Sequence, residues 1–314
     1  MAKGSELSFT YSLKAILLEA GVSKQGHAQA LKREVALEQR LECYIGLIQE
    51  IRDIHPAMGL RKMYNQFEPE GIGRDAFIAL GLQAGFRLKA ISNPRRTTYS
   101  IKSNRFVNLL KDRQFTDVNQ IWTSDITYYW LEVLQNPKES RFYYIVLIMD
   151  VYSRRIIGYS VADNMKAYNN VNALKMALNL RAVEDYQKQL IHHSDRGSQY
   201  LSNDYTEILQ AYGIRISMCS DVLENAHIER VNGIIKNDYL RHWKIASCTQ
   251  LKRATQRAVK AYNHRLHHSI GKTPIAFENH IKNIPIEKRE KLKIFTYQVN
   301  KQISENFSQL RFDF

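Results

Sequence analysis

Cysteine is scarce in this 314-residue chain, and what there is does not pair. Cys43, Cys219 and Cys248 are odd in number and far apart, which gives no disulfide framework. None sits in a Cys-x-x-Cys pair, so a cysteine-built structural zinc site is excluded. The doublets His192-His193 and His267-His268 do not supply zinc-ligand spacing by themselves. Long apolar runs are missing too. Nowhere do about 18 apolar residues follow one another, and no apolar stretch stands behind a basic N-terminus, so neither a membrane span nor a secretory leader is expected. No internal repeat or low-complexity tract occurs, which sets solenoids aside. These absences together point to a reducing, cytoplasmic interior.

Acidic residues are also short in supply, but only at the two ends. Residues 1–115 carry 18 Lys and Arg against 11 Asp and Glu, and residues 241–314 carry 15 against 5. Residues 116–240 reverse the balance, with 12 against 15. The net charge of +14 therefore belongs to two basic flanks around a slightly acidic middle. Solvated surface charge would not segregate in this way. Basic arms on a phosphate backbone around a cation-seeking centre would.

What is present is 44% hydrophobic residues, enough for a sizeable core in two or three compact units. Residues 1–90 read as helical, with two helix-turn-helix-like units. One helix ends at Gly21, where Ser23 can cap the next. A second unit runs through Cys43–Ile54, breaks at His55-Pro56, resumes at Gly59–Met63, and continues through Arg74–Leu80 to about Gly85. Residues 91–115 form a basic linker around Pro94-Arg95-Arg96, placed to lie on DNA.

Residues 116–245 alternate strand and helix signals. Ile121–Val133, Phe142–Val151 and Arg155–Val161 are strands, with turns at Asn136-Pro137-Lys138-Glu139 and Tyr152-Ser153-Arg154. Helices at Val171–Val183 and Asp204–Tyr212 flank strands at Gln189–His193 and Ile214–Met218, and a long helix spans about Asn225–Trp243. The class is α/β, a mixed sheet flanked by helices. Residues 246–314 read as a basic C-terminal region, helical through Leu251–Leu266 and turning at Gly271–Pro274.

Metal-assisted phosphoryl transfer needs carboxylates converging from separate elements, because hard divalent cations take oxygen ligands. Three acids suit it. Asp125 interrupts an otherwise apolar strand, Asp195 lies just past a strand end, and Glu229 rides on the long helix. Singly, each has an ordinary reading as a turn-forming or solvated acid. Together they resemble the DDE transposases of bacterial insertion sequences, in the retroviral-integrase superfamily with its ribonuclease H-like core. The likeness is carried by Trp122…Asp125-Ile126-Thr127, His193-Ser194-Asp195-Arg196-Gly197-Ser198-Gln199-Tyr200 and Glu224-Asn225-Ala226…Glu229…Lys236. It extends through Asp150…Ser153-Arg154-Arg155…Gly158 and Tyr262-Asn263-His264-Arg265, with Thr273-Pro274 beyond, all in the family's order.

The resemblance implies that Asp125, Asp195 and Glu229 hold two Mg²⁺ ions, with Mn²⁺ able to substitute, for strand cleavage followed by strand transfer. It implies a double-stranded DNA substrate, a homo-oligomer on DNA, and a location at the bacterial nucleoid. It also resembles the second-frame product of split-frame elements, whose upstream frame supplies a further helix-turn-helix segment. Contacts to DNA are expected from Lys236, Asn232, Arg230, Arg196, Arg95 and Arg96. Two departures stand out. There are 33 residues between Asp195 and Glu229, where the family commonly has about 35, a difference the loop Ser220–Leu223 can absorb. Glu224 stands where aspartate is common, making it a rival third ligand, and Asp150 is a lesser rival with a structural role expected. A nuclease of the same fold without joining activity, or a DNA-binding protein using only its N-terminal helices, are the other classes in view.

Overall fold

The computed structural model describes residues 12–88, 106–110, 113–132, 140–219 and 225–293. Arg95, Arg96, Glu224, the Asn136–Glu139 turn and the Ser220–Leu223 loop lie outside the described residues. The chain divides into two compact units, one within residues 1–89 and the other within 90–314, with residues 55–57 grouped with the second.

The first unit is all helix. Helix α1 (Leu13–Glu19) is capped by the Ser12 side chain, which accepts from the Ala15 amide. Gly21 then adopts φ +65°, and the Ser23 hydroxyl accepts from the Gly26 amide 3.0 Å away, so the chain turns where the glycine and serine sit. Helix α2 runs unbroken from Lys24 to Ile54, 31 residues, rather than beginning near Cys43. Residues 24–41 show no clear apolar stripe but are rich in Ala, Lys, Glu, Gln and Arg, so backbone propensity carries the helix there. Helices α3 (Leu60–Phe67) and α4 (Arg74–Gln83) close a small core on Ile48, Ile51, Met63 and Phe77.

The second unit is built on a five-stranded mixed sheet. Strands β2 (Ile121–Leu131), β3 (Arg141–Asp150) and β4 (Ile156–Ala162) are antiparallel neighbours. Strands β5 (Ile191–Ser194) and β6 (Arg215–Met218) run parallel to β2 on its other side, giving the order β4-β3-β2-β5-β6. That order and those directions are the ribonuclease H-like mixed sheet expected from the sequence. A separate two-residue pair joins β1 (Gln114–Phe115) to β7 (Leu292–Lys293).

Both faces of the sheet are covered, and strand alternation sorts the residues. On β3, Ile145, Leu147 and Met149 enter one core together with α7 (Ala226–Ile234) and α8 (Cys248–Asn263). Val146 and Ile148 enter the opposite core with α5 (Ala167–Arg181) and α6 (Asn203–Ala211). Gly158 on β4 allows α5 to approach closely, since a Cβ there would collide with the Ala173 carbonyl oxygen. Helix α9 (Pro274–Ile281) follows, with Thr273 capping the Ala276 amide.

A second element, after α2, departs from the reading. The helix expected over about Asn225–Trp243 is α7 only to Ile234, then a widened π-type turn over Ile235–Tyr239 and a 3₁₀ turn over Leu240–His242. Ile235, Tyr239 and Leu240 are fully buried, so the widened segment still delivers its apolar side chains to the core.

Candidate catalytic site

The parallel pairing of β2 with β5 ends at Ser124 opposite Ser194. Asp125 is the next residue of β2 and Asp195 the first residue past β5, so the two carboxylates emerge side by side where neighbouring parallel strands part. This is the position at which sheets of this kind collect ligands. Asp195 is held by its own turn, its Oδ1 accepting from the Gly197 amide at 3.0 Å. The next residue, Arg196, donates through Nε to the Cys219 carbonyl at 2.7 Å, tying this loop to the end of β6.

Helix α7 brings the third acid. Glu229 lies in its first turn, and three polar contacts dock the helix along β2. Asn225 Nδ2 donates to the Ser124 carbonyl at 3.3 Å, Asn232 Nδ2 to Asp125 Oδ2 at 2.8 Å, and Lys236 Nζ to Thr127 Oγ1 at 3.3 Å. Glu229 and Asn232 follow at helical spacing, so one side of α7 faces the strand that carries Asp125, and the widened turn beyond it brings Lys236 to the same strand.

The electrostatics record how close the acids are. Asp125 is pushed up to about 8, first by burial and then by the charge of Asp195, with Glu229 adding to the rise. The Ile126 amide and Asn232 pull the other way. Burial also raises Asp195, against the hydrogen bond from Gly197. Asp195 thus adds to the rise of Asp125, while its own rise comes from burial. Lys236 is lowered by burial and by Arg241, while Asp125 opposes that shift. Behind the acids, the Ser124 hydroxyl meets the Tyr200 hydroxyl at 2.9 Å, and His192 Nε2 meets the Tyr205 hydroxyl at 2.9 Å, a polar layer inside the core.

The donor set is all oxygen, which suits a hard divalent cation. Among the described residues, no group of three His, Cys, Asp or Glu side chains closes to a spacing that would enclose an ion. Asp195 and Glu229 are thus close enough to add to the rise of Asp125 without the three forming a finished cage.

Asp150 stands apart from this cluster. It is fully buried, accepts from the Asn119 and Ser153 amides and pairs with Arg181 at 3.1 Å. Arg181 and Arg155 both reach Glu278 on α9, so this acid organises the β3–β4 turn. Arg230 is exposed on α7. Sequence reasoning quoted Thr127 and Asn225 within its motifs without giving them a role, and did not single out Tyr128 or Glu278.

Residues 116–221 match the integrase core domain family, and residues 212–274 match a second integrase core domain family. The transposase for insertion sequence element IS629 of Shigella sonnei is 32% identical over 237 residues, covering 73% of this chain and 76% of that protein. A protein of insertion sequence element IS986/IS6110 of Mycobacterium tuberculosis is 32% identical over 238 residues, covering 70% of this chain and 81% of its own length. The HTLV-2 integrase catalytic core domain, solved in complex with magnesium, matches 52% of this chain and 97% of its own at 22% identity and a TM-score of 0.40. Among the described residues no helix is long and apolar enough to cross a membrane.

Proposed function

The chain belongs to the insertion-sequence transposases that carry an integrase core domain, and from that premise we propose that it cuts and joins DNA with Asp125, Asp195 and Glu229 as its catalytic acids. The observation that carries this reading is the emergence of Asp125 and Asp195 at the parting of β2 and β5, with Glu229 delivered from α7. These three carboxylates would hold two Mg²⁺ ions, and Mn²⁺ is expected to substitute. When bound, such a pair of ions polarises the attacking hydroxyl and the leaving oxygen of an in-line displacement at phosphorus.

The chain's own groups do the positioning. Asn232 holds one oxygen of Asp125, and the Gly197 amide holds one oxygen of Asp195, which leaves each carboxylate oriented before substrate arrives. Asp125 is raised first by burial and then by the charge of Asp195, and a divalent cation is the kind of partner that offsets both. Lys236 stands over Thr127, within reach of a phosphate beside the acids. Arg230, Arg196, Arg95 and Arg96 are assigned to the DNA backbone, in keeping with the basic flanks.

Residues 1–90 are assigned to DNA recognition, 91–115 to a linker, 116–245 to the catalytic core and 246–314 to a basic C-terminal region. Bringing two DNA ends together calls for at least two copies of the chain. An upstream helix-turn-helix segment is assigned to selective recognition of element ends. The site of action is the cytoplasm, at the nucleoid.

The test is a single-turnover cleavage and strand-transfer assay on duplex DNA bearing the element's own ends. Asp125→Asn, Asp195→Asn and Glu229→Gln should each abolish both steps while DNA binding persists, because the amide keeps shape and removes charge. An active Glu229→Gln beside a dead Glu224→Gln would move the third ligand to Glu224. Cleavage without joining by the unaltered chain would reduce the reading to a nuclease.

A further inference from the structure

The β2–β3 hairpin runs past the rest of the sheet. Beyond Ser124, no other described strand pairs with β2 on its open side, and β4 reaches only to Tyr144 on the other. Residues 128–131 and 141–143 therefore form a two-stranded ribbon projecting from the sheet beside the catalytic acids.

The two faces of this ribbon differ sharply. Leu131 and Tyr143 enter the core shared with α7 and α8. The other face carries four aromatic rings in two cross-strand pairs. Tyr128 and Tyr144 meet edge-on with centroids 5.4 Å apart, and Trp130 and Phe142 do so at 4.8 Å. Trp130 is 51% exposed and Phe142 is 52% exposed, so two large rings at the far end of the ladder face solvent. Hairpin stability accounts for pairing them. It does not account for leaving both half in water, where aliphatic or polar residues would pair without exposing a π-face.

The root of the ladder lies across the open edge of β2 from the candidate site. Tyr128 is three residues from Asp125, so its ring is on the opposite face of the strand, and no other described strand pairs with the edge between them. Its phenol is raised by burial and by Tyr144, and further by the charges of Asp195 and Asp125. Trp130 lies two residues on, about 17 Å from Asp125 at the ordinary rise of an extended strand. That span corresponds to roughly five nucleotides of a strand at its duplex spacing.

From this arrangement we infer that the exposed face of the β2–β3 ribbon, centred on Trp130 and Phe142, is a stacking platform for unpaired bases of the DNA strand that enters the carboxylate site. The inference rests on the DNA-joining reading above. Strand transfer exposes single-stranded nucleotides next to the reacting phosphate, and aromatic rings hold such bases without regard to sequence. Arg141, exposed and opposite Leu131, adds positive charge at the same end of the ribbon but from its other face.

The test is equilibrium binding by the full chain, without divalent metal, to two otherwise identical duplexes. One is fully paired and one has its terminal five nucleotides unpaired. Trp130→Leu keeps an apolar side chain and removes the ring, while Trp130→Phe keeps a ring, and thermal unfolding of each shows that the hairpin survives. Trp130→Leu should weaken binding to the unpaired end about tenfold, leave the paired duplex unchanged, and be largely rescued in Trp130→Phe. Intrinsic fluorescence gives a second readout, because Trp122 is fully buried and Trp243 is stacked under Arg257. Single-stranded oligonucleotide should quench the unaltered chain and leave Trp130→Phe nearly unquenched. Equal affinity of Trp130→Leu and the unaltered chain for the unpaired end would overturn the inference, and so would equal losses on both duplexes. No cleavage is needed, so this binding result can fail while the carboxylate assignment stands, and the reverse.

Discussion

Asn232 on α7 and Lys236 on the widened turn that follows it both reach β2, yet their chemistry separates them. Asn232 is occupied in orienting Asp125, whereas Lys236 brings a charge that its threonine partner does not neutralise. Lys236→Ala should therefore lower strand-transfer yield clearly and reduce the slope of log affinity against log salt by about one for element-end DNA. An unchanged yield would show that Lys236 serves only α7 docking. A second residue-scale expectation concerns His192, whose pKa is lowered to about 3 by burial and then by His193. A depressed histidine stabilises the fold above its unfolded value near 6.5, and that contribution is lost as pH falls toward 3. Its share of the loss amounts to about 2 kcal/mol by pH 5. Urea unfolding at pH 7.5 and pH 5 should show His192→Phe less acid-sensitive than the unaltered chain, although it begins weaker for want of the Tyr205 hydrogen bond. An equal acid loss in both would remove His192 from the account.

At the scale of elements, the strands were legible because their side chains alternate between two cores. The β3 run Ile145–Met149 is apolar on both faces, and Asp125 stood out as a charge within a strand. Asp195 could likewise be placed just past the end of a short apolar strand. The long reach of α2 was less legible, since its first half shows no clear apolar stripe. The widened turn at Ile235–Tyr239 was not legible, because a π-type turn keeps apolar spacing close to that of a helix. Nor did local pattern announce that Glu278 would meet Arg181 and Arg155, about 100 residues away in sequence. The approach of α5 to β4 makes its own prediction. Gly158→Ala would drive a Cβ into the Ala173 carbonyl, and backbone cannot move aside as a side chain can. A loss of about 3 kcal/mol in urea unfolding is expected, and unchanged stability would mean that the two elements are less tightly apposed.

At the scale of the whole molecule, the charge segregation and the fold agree. The mixed sheet with its three acids lies in the stretch where acidic residues outnumber basic ones, and the excess of +14 comes from the flanks. The candidate site was legible through the order of its sequence blocks. Its orienting contacts were not, because Asn232 to Asp125 and Asn225 to Ser124 span more than 100 residues. DNA binding by the chain alone should be salt-sensitive and weakly selective, with selective binding to element ends gained when an upstream helix-turn-helix segment is supplied. Strong discrimination by the isolated chain, in competition with scrambled duplex, would assign end recognition to residues 10–90.

The central claim is that Asp125, Asp195 and Glu229 are one cation-binding set, and Mn²⁺ titration of the full chain at pH 7 reads that most directly. The unaltered chain should bind Mn²⁺ with release of protons, since Asp125 is raised to about 8 and must ionise to serve as a ligand. Asp125→Asn, Asp195→Asn and Glu229→Gln should each weaken that binding by more than about tenfold, the least that loss of a direct ligand should cost. Unchanged Mn²⁺ affinity in all three variants would contradict the account.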